Sequence, residues 1–141
     1  MSGNFLIIGG NSDIAKVLIE NLLNQDASIT LLVRQESLPT STSENIEIVV
    51  GDATLEGDLQ QAVQAASNKG AIDGIVHCVG SIVIRPPHAM RKEGFEKVIS
   101  TNLTSAFLTL SIGGKSMLRN GGGRMVFCSS VAGSIGLVNH E

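Results

Sequence analysis

A chain of 141 residues with a formal net charge of −3 is long enough for one domain and too short for two ordinary ones. Hydrophobic residues make up 43% of it, which is sufficient for a buried core and excludes global disorder. The basic residues are scattered, and no apolar run approaches the ~20 residues that cross a bilayer. We therefore expect a cytoplasmic protein with neither nucleic acid nor membrane as a partner.

The first half of the chain alternates strand patterns with helix patterns. Asn4 to Ile8 is an apolar run that stops at Gly9-Gly10, which predicts a strand buried on both faces. From Asp13 the apolar residues Ile14, Leu18 and Leu22 repeat at helical spacing, and Ser12 is placed to cap that helix. The same signals then predict a strand over Ser28–Val33, a loop from Gln35 to Asn45, a strand over Ile46–Val50, and a helix carrying Leu59, Val63 and Ala66.

The second half continues the alternation. A strand is predicted from Ile72 to Val79, then a loop with Pro86-Pro87, and a fifth strand from Arg124 to Cys128. Between them lies the longest amphipathic pattern, which we call the apolar stripe: Phe95, Val98, Ile99, Leu103, Ala106, Phe107 and Leu110. We expect one face of this helix to pack on its own sheet and the other to meet a partner helix in a homo-oligomer.

Parallel strands joined by crossover helices are the economical topology for such an alternation, because right-handed βαβ units bury both faces of each strand. The sequence therefore predicts an α/β fold with a doubly wound, Rossmann-like parallel sheet, truncated to about five strands, in one domain over residues 1–141. The fifth strand is expected to form an unpaired apolar edge.

The turn between the first strand and the first helix has the composition of an anion site. Glycine lets the backbone approach a phosphate, and a helix start offers free amides and the positive end of its dipole. Its place after strand one favours a nucleotide site over an ordinary glycine-rich turn, with these residues at the cofactor: Gly9, Asn11, Ser12, Asp13 and Ile14. The Asp13 carboxylate opposes a nearby pyrophosphate unless it points away and caps an amide.

This turn resembles that of the short-chain dehydrogenases/reductases, Thr-Gly-x-x-x-Gly-x-Gly, with Gly9 kept and Asp13 and Ala15 as departures. Four further segments resemble motifs of that family in the right order. They are Asp52 after strand three, Asp73–Gly80 in place of the strand ending in Asn-Asn-Ala-Gly, Phe95–Leu103 on the long helix, and Gly122–Gly133 around the fifth strand.

The resemblance implies roles for individual residues. Asp52 and its neighbour Ala53 would lie at the adenine, and Cys78, Val79 and Gly80 would contact the cofactor. Asn102 would support a proton-relay water, and Ser130 falls on the family's catalytic serine.

Each of these residues also has a plainer explanation. Asn102 would satisfy buried backbone groups, Ser130 would cap whatever follows strand five, and His77 would be a core histidine bonded to a neighbouring carbonyl. Cys78 and Cys128 would be two reduced, buried thiols. No ligand-spaced partner accompanies His77, so we expect no metal site.

The end of the second strand bears on the choice of cofactor. NAD enzymes usually place an acid there for the ribose 2′-hydroxyl, whereas arginine suits a 2′-phosphate. Arg34 occupies this position and offers a fork of donors matched to phosphate. The sequence therefore favours NADP, with NAD as the alternative.

The resemblance implies an NAD(P)-dependent oxidoreductase that interconverts a small-molecule alcohol and carbonyl by hydride transfer. In the family a tyrosine exchanges the proton and a lysine four residues later lowers its pKa. This chain has no tyrosine and ends at Glu141, about where that segment is expected. We therefore expect the front portion of a longer protein, which by itself binds cofactor weakly and is inactive.

Two alternatives compete with this assignment, and the sequence disfavours the first. Sugar-nucleotide epimerase relatives would require glycine at Ser12 and Ala15, and that spacing is not met. A non-catalytic dinucleotide-binding or sensing domain is favoured by the altered turn and by His77 and Cys78 in place of two asparagines.

Overall fold

The structure, a computed structural model, describes residues 3–34 and 43–136. It contains five strands: β1 (Asn4–Ile8), β2 (Ser28–Val33), β3 (Ile46–Val50), β4 (Gly74–His77) and β5 (Arg124–Phe127). The helices are α1 (Asp13–Leu23), α2 (Glu56–Asn68), α3 (Lys92–Ile99), α4 (Ser105–Arg119) and the short α5 (Ala132–Ile135). A π-helical turn, Ser100–Thr104, joins α3 to α4, and a 3-10 turn, Pro87–Ala89, precedes α3. Most of the predicted Gln35–Asn45 loop, residues 35–42, lies outside the described residues.

The strands form one parallel sheet in the order β3-β2-β1-β4-β5. The predicted doubly wound, Rossmann-like α/β sheet of about five strands is confirmed. Among residues 3–34 and 43–136, β5 pairs only with β4, and its Val126 and Phe127 are exposed, so this part of the protein has the expected apolar edge. The prediction extended β4 and β5 too far at their ends: β4 begins at Gly74 and ends at His77, and β5 ends at Phe127.

Two hydrophobic cores cover the two faces of the sheet, because successive side chains of a strand point to opposite faces. Ile7 and Leu31 pack beneath α1 with Ile19. Leu6 and Ile75 pack on the other face beneath α2 and α4, with Leu59 and Met117. The first turn of α1 is exposed at Ile14, and its buried face is formed by Ala15, Ile19 and Leu22.

The apolar stripe does not pack on the sheet, and that expectation was wrong. The stripe residues Phe95, Leu103, Phe107 and Leu110 are 54%, 62%, 62% and 55% exposed. The buried side of α4 is built instead from small residues: Ser105, Thr109 and Gly113, followed by Met117. A Cβ at Gly113 would lie 2.5 Å from Cδ1 of Ile75, so the absence of a side chain there lets α4 approach β4 closely.

The described helices include none that is long and apolar enough to cross a membrane.

Candidate functional site

A cleft of about 1020 Å³ opens beyond the carboxyl ends of the strands. Ligands of open parallel sheets bind at such a crevice, where the strand order reverses direction beside β1. Nine of the eleven residues predicted to bind cofactor line it: Gly9, Asn11, Ser12, Arg34, Asp52, Ala53, Cys78, Val79 and Gly80. The topology therefore gathers residues from four separate strand ends at one site.

The backbone conformation of Gly9 is one that other residues rarely adopt, with φ at +85°. A Cβ there would lie 2.9 Å from Cγ2 of Val79 and 3.1 Å from the carbonyl carbon of Cys78. The amide of Gly9 donates to the carbonyl of Leu32 at 2.9 Å. The turn thus lies between the ends of β2 and β4, and the space at position 9 is too small for a side chain.

Ser12 is the N-cap of α1, as predicted, and its Oγ accepts from the amide of Ala15 at 3.1 Å. Asp13 points away from the cleft, with a side chain that is 99% exposed and bonded to Nζ of Lys16 at 2.9 Å. That hydrogen bond lowers the pKa of the Asp13 carboxyl. The Asp13 carboxylate therefore points away from the expected pyrophosphate position, as the prediction required. The expected cap by Asp13 is not formed, because Ser12 caps the helix. Neither Asp13 nor Ile14 lines the cleft, so their backbone contact with a cofactor stays a prediction.

Asp52 is held by its own loop after β3. Its Oδ1 accepts from the amide and from the hydroxyl of Thr54, each at 2.8 Å, and its amide donates to Oδ2 of Asp58 at 2.7 Å. The backbone hydrogen bond from Thr54 is the main cause of the lowered pKa of Asp52, and the positive charge of Arg34 adds to it. The cleft therefore carries an ionised carboxylate and an exposed guanidinium at the ends of the neighbouring strands β3 and β2.

Asn102 lies in the π-helical turn and binds the loop that follows β4. Its Oδ1 accepts from the amide of Ser81 at 2.8 Å, and its Nδ2 donates to the carbonyl of Ser81 at 2.9 Å. Both residues are exposed, so the expectation that Asn102 satisfies buried backbone groups was wrong. Ser81 lines the cleft and Asn102 stands behind it.

His77 is a core histidine, as predicted, but it bonds a hydroxyl where a carbonyl was expected. Its Nε2 lies 2.9 Å from Oγ of Ser105, which itself donates to the carbonyl of Thr101 at 2.6 Å. Because the serine proton is used on Thr101, Nε2 of His77 is the donor to Ser105. Burial lowers the pKa of His77, which keeps the ring neutral. This chain of bonds ties β4 to the π-helical turn that carries Asn102.

The two cysteines differ in exposure. Cys78 is half-buried and Cys128 is exposed, so the expectation of two buried thiols was wrong for Cys128. The reason is topological: Cys128 follows β5, which lies at the edge of the sheet formed by the described residues. Burial raises the pKa of the Cys78 thiol.

Ser130 is exposed just beyond β5, and its Oγ accepts from the amide of Ala132 at 3.1 Å. The plainer prediction was that Ser130 caps the segment after the fifth strand; its hydroxyl does bind an amide there, but the N-cap of α5 is Val131. Neither Ser130 nor Asn102 lines the cleft.

Sequence reasoning missed the far wall of the cleft, which α3 and the π-helical turn supply through Lys97, Ser100 and Thr101. Lys97 is the second basic side chain at the site. Lys97 lies within the Phe95–Leu103 segment that resembles a family motif, but only Asn102 was given a role there, because a lysine on the polar side of an amphipathic helix is an ordinary surface residue. Within residues 3–34 and 43–136, no three His, Cys, Asp or Glu side chains are grouped so that they could hold a metal ion.

The chain is similar to known proteins both in sequence and in structure. The chain is 31% identical over 139 residues to the 3-oxoacyl-[acyl-carrier-protein] reductase MabA of Mycobacterium tuberculosis, covering 99% of the chain and 55% of that protein. It is also 31% identical over 141 residues to a tropinone reductase homologue of Arabidopsis thaliana, covering 94% and 53%. The chain thus spans about half the length of the curated relatives that it matches.

Solved structures repeat the fold. ElxO with NADP bound superposes with a TM-score of 0.90 at 25% identity, covering 99% of the chain and 60% of that structure. A short-chain dehydrogenase from Leptospira borgpetersenii with bound NAD+ has a TM-score of 0.85 at 23% identity, covering 96% and 54%. Residues 4–140 match the short chain dehydrogenase family as a whole. The chain belongs to the short-chain dehydrogenase family.

Proposed function

We propose that this chain is the NAD(P)-binding Rossmann-type domain of an oxidoreductase that interconverts a small-molecule alcohol and carbonyl by hydride transfer. The observation that carries the proposal is the cleft, where nine residues expected at the cofactor come together from four strand ends. Two structural relatives with NADP or NAD+ bound support a nicotinamide dinucleotide as the occupant.

The residues present fit a dinucleotide. Because Gly9 has no side chain, a phosphate can approach the backbone of the first turn closely. The start of α1 offers free amides and the positive end of the helix dipole to the pyrophosphate. We assign Asp52 and Ala53 to the adenine, and the segment from Cys78 to Gly80 to the adjacent ribose. When bound, the reduced cofactor would supply the hydride for carbonyl reduction and the oxidised cofactor would accept it from the alcohol; this chain's residues hold and orient it.

We propose NADP as the preferred form because Arg34 is the side chain at the end of β2. A guanidinium matches the geometry of a 2′-phosphate, and no acid stands at that strand end to accept from a 2′-hydroxyl. Lys97 on the α3 wall of the cleft adds a second positive charge. The Asp52 carboxylate lies near enough to Arg34 for the guanidinium charge to lower its pKa, so it offsets part of that positive charge.

Ser130 and Asn102 are our candidates for the chemistry. In the proposed reaction the Ser130 hydroxyl orients the substrate carbonyl, and Asn102 supports a proton-relay water from its place behind Ser81. Because the 141 residues contain no tyrosine, the proposal assigns them cofactor binding and substrate orientation and not the proton transfer itself.

The test is a pair of cofactor titrations on the Arg34→Asp variant, followed by fluorescence of the reduced nicotinamide. Losing a charge-assisted contact to the 2′-phosphate should weaken NADPH binding about tenfold or more while NADH binding changes little. Arg119→Asp, at the exposed end of α4, is the matched control and should alter neither affinity.

An unchanged ratio of the two affinities in Arg34→Asp would contradict the NADP preference. Failure of the unsubstituted protein to bind either dinucleotide would contradict the proposed function as a whole.

A further inference from the structure

The two cysteines of the chain meet at the ends of neighbouring strands. β4 and β5 pair in parallel with His77 opposite Phe127, so the next residues, Cys78 and Cys128, stand opposite each other. The amide of Cys128 donates to the carbonyl of His77 at 3.4 Å and continues the ladder to this point. Opposed residues of neighbouring strands project to the same face, and strands are separated by about 4.8 Å. Disulfides bridge Cα atoms roughly 4.4–6.8 Å apart.

The thiol of Cys78 has two neighbours. The side chains of Cys128 and of Ser12, the N-cap of α1, lie close enough to this thiol to influence its pKa. Cys78 and Ser12 both line the cleft, whereas Cys128 is exposed just outside it. The pair therefore joins the wall of the cleft to a thiol that reagents in solution can reach.

We propose that Cys78 and Cys128 are a modification site, forming a reversible disulfide that weakens dinucleotide binding in the cleft. The effect on binding rests on the function proposed above, whereas formation of the bond does not.

The oxidant is a small-molecule disulfide such as oxidised glutathione. The Cys128 thiolate attacks one of its sulfur atoms, the glutathione S–S bond breaks, and one glutathione leaves and takes up a proton. The Cys78 thiolate then attacks the Cys128 sulfur of the mixed disulfide and expels the second glutathione. The protein pair loses two electrons and two protons, and the glutathione disulfide gains both.

The exposure of the two thiols sets the order of these steps. Cys128 is accessible to a bulky tripeptide, and Cys78 is half-buried beneath the turn. The raised pKa of Cys78 reduces its thiolate fraction and favours its role as the second, intramolecular attacker.

Cross-linking would change the cleft because Cys78 lines it together with Ser12, and a bond to Cys128 would draw the Cys78 sulfur toward β5. The disulfide would then tie the segment from Cys78 to Gly80 to the end of β5 and displace it from the turn before α1. A bound dinucleotide would cover Cys78 and slow the second step, so cofactor should protect the pair.

The experiment treats the intact reduced protein with oxidised glutathione and records its mass before and after. The expected product has lost two hydrogens, carries no glutathione, and yields a Cys78–Cys128 cross-linked peptide. NADPH affinity of this product should fall by about tenfold and return on reduction with dithiothreitol. Cys128→Ser is the control: its affinity should be unchanged by the same treatment. Cys78→Ser should keep glutathione on Cys128, because the resolving thiol is gone.

Glutathione that persists on the unsubstituted protein would overturn the pairing. A disulfide that forms without a change in NADPH affinity would overturn its coupling to the cleft. If the reduced protein binds no dinucleotide, the proposed function fails, and the mass measurement still decides whether the disulfide forms.

Discussion

The side-chain amide of Asn102 makes both of its hydrogen bonds to the backbone of one residue, Ser81, at 2.8 and 2.9 Å. Ser81 directly follows the strand ending at which the cofactor segment lies. The two hydrogen bonds therefore join the π-helical turn to the loop after β4, with the Asn102 amide acting as both acceptor and donor.

Replacing Asn102 tests this pairing. Asn102→Asp removes the donor to the Ser81 carbonyl and places a charged acceptor there, so we expect a loss of about 1–2 kcal/mol in the free energy of unfolding, measured with urea. Asn21→Ala is the control, because the Asn21 amide donates only to Val17 within its own helix. Equal losses of unfolding free energy in the two variants would mean that the Asn102–Ser81 hydrogen bonds contribute no more to stability than the Asn21–Val17 bond within one helix.

Gly9 offers a test of the turn. Gly9→Ala places a Cβ against Val79 and Cys78 at a positive φ, so stability should fall by roughly 1–3 kcal/mol, and NADPH affinity should fall with it. Gly57→Ala, in the first turn of α2 with no atom within 4 Å of the new Cβ, should be neutral or stabilising by about 0.5–1 kcal/mol. Denaturation in urea measures both, and a tolerated Gly9→Ala would contradict the strained turn.

The buried His77 predicts a pH dependence of stability. Burial lowers its pKa in the folded protein, whereas in the unfolded chain it titrates at about 6.5. The unfolded state therefore takes up the proton first as the pH falls. Stability should be complete above about pH 6.5 and should decrease below it, until the folded state is protonated too.

The measurement is the urea midpoint between about pH 5 and pH 8, in the parent and in His77→Asn. The variant should lose this slope. The lowered pKa values of Asp13 and Asp52 act below their ordinary value of 3.8, outside that window. A slope of the same size in His77→Asn would assign the effect to other groups.

The exposed apolar stripe predicts association between copies of the protein. We propose a homo-oligomer in which Phe107 and its stripe neighbours are covered, and Phe107→Asp should lower the molar mass measured by light scattering. Leu118→Asp is the matched control on the same helix, since Leu118 is 85% exposed and lies outside the stripe. A parent protein that is monomeric at all concentrations would exclude this interface.

Local signals predicted most of the fold. The apolar run from Asn4 to Ile8, the Ser12 cap and the buried trio Leu59, Val63 and Ala66 each follow from period and propensity within a few residues. Nine of the residues predicted to bind cofactor line one cleft, and their contact with a cofactor stays a prediction. The elements of the fold were predictable because their signals are local in the sequence, and parallel strands bring their carboxyl ends to one edge of the sheet.

The failures concern relationships between distant elements. Periodicity marks an apolar stripe around Phe107, but it cannot say whether that stripe meets its own sheet, because small residues such as Gly113 can form the packed side. The partner of His77 is 28 positions away at Ser105, and nothing local marks it. The exposure of Cys128 depends on which strand lies at the edge, a property of the whole sheet.

The π-helical turn joins two helices that contact different parts of the protein, the cleft and β4. A uniform α-helix would change the angle between those two contacting faces. Before the π-helical turn, Lys97 faces the cleft; after it, Gly113 rests against Ile75. Each residue of an α-helix adds about 100° of rotation, so deleting any one of Ser100–Thr104 would turn one half against the other by that angle. The number of residues between cofactor wall and core is therefore fixed here, and homologous chains that keep both contacts should show neither insertions nor deletions between these two positions.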